Sequence, residues 1–393
     1  MKKKVLILGY GISGKAAEKF LEKQQKSCLV YDDKIAKLQV LPWEEIETLV
    51  VSPQISISHP IYQKAIEKGV KITSEIQLGL EDKNNPLIGV TGTNGKTTTV
   101  LLLEHLCKTA SIPAKALGNI GEPLSLYSAK EGELLIVELS SFQLEKLQGN
   151  FFDYAFFLNL YPHHLDVHES FAAYQKAKVN LQNCIKKEGK LWAPSNYSAL
   201  FRKAEGLQKL PFSIAREDLS ATTLEAAWTF ALEKKISSSV FLQAVQSFQK
   251  PSHRFEKVAQ HQGITYINDS KATNTQAVLY ALSKLFSPIR LIVGGEDQNA
   301  DFRLWQNEFS SKVKKVYAYG FAAEKIRFTL ESSLRVECFP LFGQAVKKAC
   351  VEAQKEEVVL LSPGCASHDQ FANFEERGNK FKELVQMWMQ KGS

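Results

Sequence analysis

The run Leu87-Ile-Gly-Val-Thr-Gly-Thr-Asn-Gly-Lys-Thr-Thr-Thr99 is the place to enter this sequence. Leu87 to Val90 is apolar and ends on a β-branched residue, so it reads as a buried strand. Thr91 to Gly95 reads as a tight loop, and Lys96-Thr97-Thr98 opens an apolar helix through Val100 to Leu106. Strand, glycine loop and helix N-terminus together make an anion site. The loop N–H groups and the positive end of the helix dipole converge on one phosphate. Lys96 can reach the terminal phosphates and the Thr97 hydroxyl can hold Mg²⁺. The match to G-x-x-x-x-G-K-[ST] is partial, because its first glycine would fall at Val90. A plain glycine-rich strand-to-helix turn is the alternative, and Gly95-Lys96-Thr97 at the turn favours a nucleoside triphosphate.

The surroundings are those of an ordinary multidomain protein. At 393 residues the chain is too long for one core, and 44% hydrophobic with 23% charged residues is a globular composition. The net charge is +7, but Lys and Arg are scattered, which favours anionic small molecules over a nucleic-acid track. Lys2-Lys-Lys4 precedes an apolar run, Val5 to Leu8, too short for a signal peptide, and no segment approaches a bilayer span. Six cysteines without C-x-x-C spacing read as free thiols in a reducing cytoplasm.

Before the triphosphate loop, Val5 to Leu8 is a strand, followed by Gly9-Tyr-Gly-Ile-Ser-Gly14, a helix over about Lys15 to Gln24, and a strand from Ser27 to Tyr31 ending at Asp32-Asp33. This is the G-x-G-x-x-G form with a carboxylate about 20 residues on, a weak signal for a nucleotide diphosphate. Further strands over Leu49 to Ser52 and Val70 to Thr73, with a helix near Pro60 to Lys68, complete a small α/β domain. After the loop, Glu133 to Ser140 reads as a buried strand interrupted by Glu138. A carboxylate there is costly unless a cation pairs with it. Tyr154 to Leu160 is the next strand, leading to Tyr161-Pro-His-His-Leu-Asp-Val-His168. Three close histidines suggest zinc, but Pro162 and the absence of nearby thiols argue against a structural site. A helix capped by Ser170 is expected to run to Lys187, and Lys178 near its inner face would ordinarily be a snorkelling lysine. Beyond a hinge near Lys250 to Glu256, strands at Ile264 to Ile267, Ile289 to Val293, Val316 to Tyr319 and Val358 to Leu361 alternate with helices, the last over about Glu375 to Gln390. A second doubly wound sheet is implied.

Five stretches then converge on one family. Thr91-Gly-Thr-Asn-Gly-Lys-Thr-Thr98, Glu138-Leu-Ser-Ser-Phe-Gln-Leu-Glu145, His253-Arg-Phe-Glu256, Asn268-Asp-Ser-Lys-Ala-Thr-Asn274 and Ser362-Pro-Gly-Cys-Ala-Ser-His-Asp-Gln-Phe371 resemble the Mur ligases, within them the D-glutamate-adding branch. The resemblance covers essentially the whole chain and implies three α/β domains. These are an N-terminal Rossmann-like nucleotide-sugar domain (1–84), a central P-loop ATPase domain (85–250) and a C-terminal Rossmann-like domain receiving the amino acid (251–393). It implies ATP-dependent phosphorylation of the carboxylate of UDP-MurNAc-L-Ala, attack by the amine of D-glutamate, and a tetrahedral intermediate. By the same resemblance Gly92, Thr93, Asn94, Gly95, Lys96, Thr97, Thr98, Arg254 and Asp269 bind ATP. Thr97, Glu138, His164 and a carbamylated Lys178 serve two Mg²⁺ ions, and Lys96, Glu138, His164, Lys178 and Lys271 carry the catalysis. Ile12, Ser13, Asp32, Asp33, Lys34 and Asn119 hold the UDP substrate; Lys271, Ser367 and Phe374 hold D-glutamate. A monomer acting on small molecules, without nucleic acid or membrane, is expected.

This chain departs from the family pattern at Gln54 in Ser52-Pro-Gln54, at His163 before the metal histidine, and at Leu219-Ser-Ala-Thr-Thr223 in place of an adenine-side His-Asn-x-x-Asn. Gln298 stands where a basic residue is usual in the Gly294-Gly295 loop. Gln298→Lys is therefore expected to lower the KM for D-glutamate about tenfold, unless Arg303 or Lys325 already supplies the charge. The rival readings are a ligase for a different amino acid, a folylpolyglutamate synthase, and a non-enzymatic nucleotide-gated binding protein. The N-terminal glycine fingerprint argues against the second, and the intact Lys96, Glu138, His164 and Lys178 against the third.

Overall fold

The computed structural model describes residues 3–33, 41–216, 218–309 and 312–391. Three sheets carry the fold. The first is built from β1 (Lys4–Leu8), β2 (Cys28–Tyr31), β3 (Ile46–Val51) and β4 (Lys71–Thr73), in the order β2-β1-β3-β4 and all parallel. The second contains β5 (Leu87–Thr91), β6 (Ala114–Gly118), β7 (Leu134–Glu138), β8 (Phe152–Phe157), β9 (Ile185–Ala193) and the two-residue β10 (Glu205–Gly206). Its order is β10-β9-β8-β5-β7-β6, again parallel throughout. Buried on both faces, β5 and β7 read as near-continuous apolar runs, as central parallel strands must.

The third sheet contains β11 (Glu256–His261), β12 (Ile264–Asn268), β13 (Ile289–Gly294), β14 (Val313–Tyr319), β15 (Val336–Phe339) and β16 (Val358–Gly364). Its order is β11-β12-β16-β13-β14-β15, with β11 antiparallel at the edge and the rest parallel. The expected α/β class, built on three mainly parallel sheets, is what the chain adopts. In space the chain forms two compact units, residues 1–162 with 167–248, and 163–166 with 249–393. The first unit holds the first two sheets.

In the first unit β1 lies between β2 and β3, and β5 between β8 and β7, so the loops after β1 and β5 emerge where the strand order reverses. Such crevices at the carboxyl ends of strands are where open α/β sheets take ligands. The helix Lys96–Thr109 packs against the helices Ala221–Glu233 and Ser238–Ser247, closing one face of the second sheet over Val100, Leu103, Trp228 and Phe241.

The helix capped by Ser170 does accept the Ala173 N–H at its hydroxyl, but it spans only Phe171–Val179. A short 3-10 turn, Asn180–Cys184, follows, and Lys187 lies in β9. The polar run Ile185-Lys-Lys-Glu-Gly-Lys190 looks helical in isolation. Pairing with β8 makes it a strand, with Gly189 packed where a Cβ would meet the Phe152 carbonyl at 2.7 Å.

Candidate active site

The loop after β5 has the expected form. Gly95, at φ +84°, caps the helix Lys96–Thr109, so the first-turn N–H groups of Lys96, Thr97 and Thr98 open toward the loop. The loop is pinned from below by Asn159, which the sequence reading did not single out. The Thr93 N–H donates to the Asn159 carbonyl (3.0 Å), the Asn94 N–H to Asn159 Oδ1 (2.9 Å), and Asn159 Nδ2 returns a bond to the Asn94 carbonyl (3.1 Å). Thr93 Oγ1 takes the Tyr161 N–H at 2.9 Å and meets the Tyr174 hydroxyl at 3.0 Å. Lys96 Nζ donates to the carbonyls of Gly92 and Thr93, both at 2.9 Å, which sets its charge at the loop. Thr223, from the stretch that departs from the family pattern, bonds Thr99 at 3.2 Å. Its hydroxyl lies 3.6 Å from where a Cβ on Gly95 would sit.

Glu138 ends β7 beside this loop. Its Oε1 accepts from Asn119 Nδ2 at 3.1 Å, while Oε2 is buried with no hydrogen-bond partner. A buried carboxylate oxygen without a donor is one that a bound cation or water can satisfy. No group of three or more His, Cys, Asp or Glu side chains suited to a metal occurs among the described residues. Mg²⁺ keeps waters and phosphate oxygens and needs only one or two protein carboxylates. Glu138 therefore fits a magnesium site, with the Thr97 hydroxyl on the adjoining helix start.

Lys178 is no snorkelling residue. Its side chain is buried, with Nζ donating to the Gly92 carbonyl at 2.8 Å and lying 5.0 Å from the Tyr174 ring centre. Burial first, then the charge of Lys96, pushes its amine well below the ordinary lysine range, and the Glu138 charge works the other way. Reaction with CO₂ uses the neutral form of an amine, and this burial favours that form at Lys178. His164, stacked on His163 at 3.7 Å, adopts φ +55°. It belongs with the second unit rather than with the unit that carries Glu138.

At the first sheet, Gly9 (φ +88°) turns the chain and Gly14 lets it pass, since a Cβ there would lie 2.1 Å from the Gly9 carbonyl oxygen. Asp32 Oδ2 accepts the Tyr10 N–H at 2.6 Å, which ties the glycine loop to the end of β2. Asp33 instead pairs with His59 Nε2 at 3.2 Å. Ile12 and Ser13 open the helix Ile12–Lys23, with Ile12 exposed; Lys34 lies outside the described residues.

The second unit gathers the remaining residues at the carboxyl ends of β12, β13 and β16. Asp269 is buried, with Oδ1 accepting the Phe255 N–H (3.0 Å) and Oδ2 the Ser362 hydroxyl (3.1 Å). Burial pushes its carboxyl up to about 7 against those bonds and the charges of Lys250 and Arg254. Lys271 Nζ stands 3.9 Å from the centre of the Phe374 ring, so two of the three expected amino-acid contacts are brought together. Ser367 is buried on the neighbouring loop. Arg377, unmarked in the sequence reading, joins them. Fully buried, it donates to Ser270 Oγ (3.0 Å), the Ser270 carbonyl (2.8 Å), the Ala366 carbonyl (3.1 Å) and the Tyr319 hydroxyl (3.2 Å). Its only sequence signal is its place one turn inside a helix that begins at Phe374. Lys325, on the helix Ala323–Leu330, pairs with the Asp297 carboxylate and donates to the Ala300 carbonyl (3.1 Å) beyond the Gly294-Gly295 turn, as Arg303 pairs with Asp301 (2.8 Å).

Comparison with known proteins gives the family. The Mur ligase middle domain matches residues 90–257, and the Mur ligase glutamate ligase domain matches residues 253–365. The chain is 36% identical to the UDP-N-acetylmuramoylalanine–D-glutamate ligase of Protochlamydia amoebophila over 98% of each chain. It is 34% identical to the enzyme of that name from Chlamydia felis over 97% of each. The fold matches the MurF ligase of Thermotoga maritima in complex with ADP, with a TM-score of 0.64 at 13% identity, covering 100% of this chain and 96% of that one. With a triphosphate loop, an orphaned carboxylate and matches along nearly its full length, this chain belongs to the Mur ligase family.

Proposed function

We propose that the protein is the ATP-dependent ligase that adds D-glutamate to UDP-N-acetylmuramoyl-L-alanine in peptidoglycan precursor synthesis. The observation that carries the reading is the convergence of Lys96, Lys178 and the orphaned Glu138 carboxylate at one loop. That loop belongs to a chain resembling D-glutamate ligases end to end. The division proposed is a UDP domain over 1–84, an ATPase domain over 85–250 and an amino-acid domain over 251–393. No helix among the described residues is long and apolar enough to cross a membrane. We place the enzyme in the cytoplasm, as a monomer acting on small molecules.

The chemistry follows from charge. Two polyanions and an anionic amino acid must meet, so cations supply most of the rate. The loop N–H groups of Gly92 to Thr98 bind the phosphates, and Lys96 stabilises the charge that builds as the phosphoryl group moves to the substrate carboxylate. Mg²⁺, when bound, neutralises phosphate charge and polarises the transferred group. Thr97 and Glu138 would hold one ion, and His164 with carbamylated Lys178 the other. Arg254 and Asp269 are the further ATP ligands. Ile12, Ser13, Asp32, Asp33 and Lys34 hold the UDP, and Asn119 the muramoyl portion. Lys271, Ser367 and Phe374 orient D-glutamate so that its amine attacks the acyl phosphate and phosphate departs.

Phosphate release with UDP-MurNAc-L-Ala and a panel of D-glutamate, L-glutamate, L-lysine and meso-diaminopimelate tests the reading; turnover with another amino acid alone would replace it. Because Asp32 holds the glycine loop, Asp32→Ala should raise the KM for the UDP-sugar about tenfold and that for ATP less than twofold. Equal rises would move the UDP elsewhere. With Lys325 reaching Asp297 and Ala300 from the helix Ala323–Leu330, Lys325→Met should raise the KM for D-glutamate about tenfold, and Gln298→Lys should change it little. A large gain from Gln298→Lys would instead mean that the loop lacks its cation.

A further inference from the structure

His168 has no role in the account so far, yet it is buried where three parts of the site meet. Its Nε2 lies 2.9 Å from Ser141 Oγ, at the start of the helix Ser141–Lys146 that follows directly on Glu138. Its ring stacks flat on Phe142, with centres 4.8 Å apart and planes within 2°, and Nδ1 lies 3.9 Å from Glu145 Oε1. The other side of the ring system meets Tyr174 edge-on at 5.4 Å.

Tyr174 is the next link. It and Lys178 are four residues apart on the helix Phe171–Val179 and therefore share a face. The Tyr174 ring lies 5.0 Å from the Lys178 Nζ, and its hydroxyl bonds Thr93 in the triphosphate loop. The chain between His168 and this helix reverses through Glu169 at φ +64°, a left-handed conformation unfavourable for a side chain with a Cβ. Ser170 N donates back to the His168 carbonyl at 2.7 Å across that turn. Backbone strain of this kind persists only where the surroundings over-determine it. The contacts of the His168 ring lie directly before that turn.

We propose that His168 is a positioning residue. By tying the Ser141–Phe142 turn to Tyr174, it fixes the Lys178 amine where it can take up CO₂ beside Glu138. It touches neither substrate nor phosphate. The inference rests on the carbamylated Lys178 proposed above. In the step concerned, the amine lone pair forms an N–C bond to CO₂, one C=O π bond becomes a carboxylate oxygen, and the amine loses one proton to solvent.

The test uses the full chain and ¹³C-labelled bicarbonate, with the carbamate carbon read by NMR and with kcat measured against bicarbonate concentration. His168→Phe keeps the stack on Phe142 but cannot bond Ser141. Ser141→Ala removes the same bond by deleting a single hydroxyl, which guards against a folding defect. Both are expected to lower carbamate occupancy severalfold at fixed bicarbonate and to raise the bicarbonate needed for half-maximal kcat about tenfold. The KM for the UDP-sugar should stay within twofold, and His168→Gln, which restores a hydrogen-bonding nitrogen, should recover part of the occupancy. Wild-type carbamate occupancy retained in both variants, whatever their melting temperatures, overturns the proposal. Absence of a carbamate in the wild type would overturn the Lys178 assignment itself, an outcome distinct from the first.

Discussion

Lys96→Ala is expected to lower kcat by at least about 10³ while leaving a cooperatively folded protein. The ammonium is held at the loop by the Gly92 and Thr93 carbonyls, so its charge is in place before the phosphoryl group moves and costs no reorganisation then. The same substitution has a second effect. The Lys96 charge is one of the causes that hold the Lys178 amine low, so its removal should raise the Lys178 pKa and reduce the neutral amine available to CO₂. The measurements are single-turnover phosphate transfer and a thermal melt. Near-native transfer with an unchanged melt would take the triphosphate loop out of the mechanism.

Lys178→Ala is expected to be nearly inactive, and formate or acetate in the buffer should restore part of the activity by standing in for the carbamate anion. Activity unaffected by the substitution would remove the carbamate from the account. Stability should move the other way. A buried lysine whose folded pKa lies well below 10.5 binds fewer protons folded than unfolded between those two values. Folding is therefore penalised at neutral pH, and the penalty shrinks as pH rises toward the unfolded value. An apolar replacement of similar length, Lys178→Met, should raise the melting temperature at pH 7, with the gain fading toward pH 10. A gain that instead grew with pH would mean that the amine is charged in the folded state.

Local chemistry made much of this protein legible without coordinates. Gly95 before Lys96 dictates a left-handed turn into a helix start, Gly9 and Gly14 a close strand-to-helix passage, and Ser170 a helix cap. Each is set by residues within a few positions of one another, which is why sequence alone locates them. The parallel strands β5 and β7 were legible for a related reason: burial on both faces demands continuous apolar runs. Tertiary structure decided what depends on distant partners. Residues 185–193 are a strand because β8 offers them a ladder. Lys178 lies inward because the helix ends at Val179 and the Gly92 carbonyl, 86 positions away, receives its amine. Asn159, Arg377 and His168 act through backbone carbonyls, a loop and an aromatic face that only folding brings within reach. Periodicity along the chain records which face of an element is buried, and holds no record of which polar group on another element will meet it.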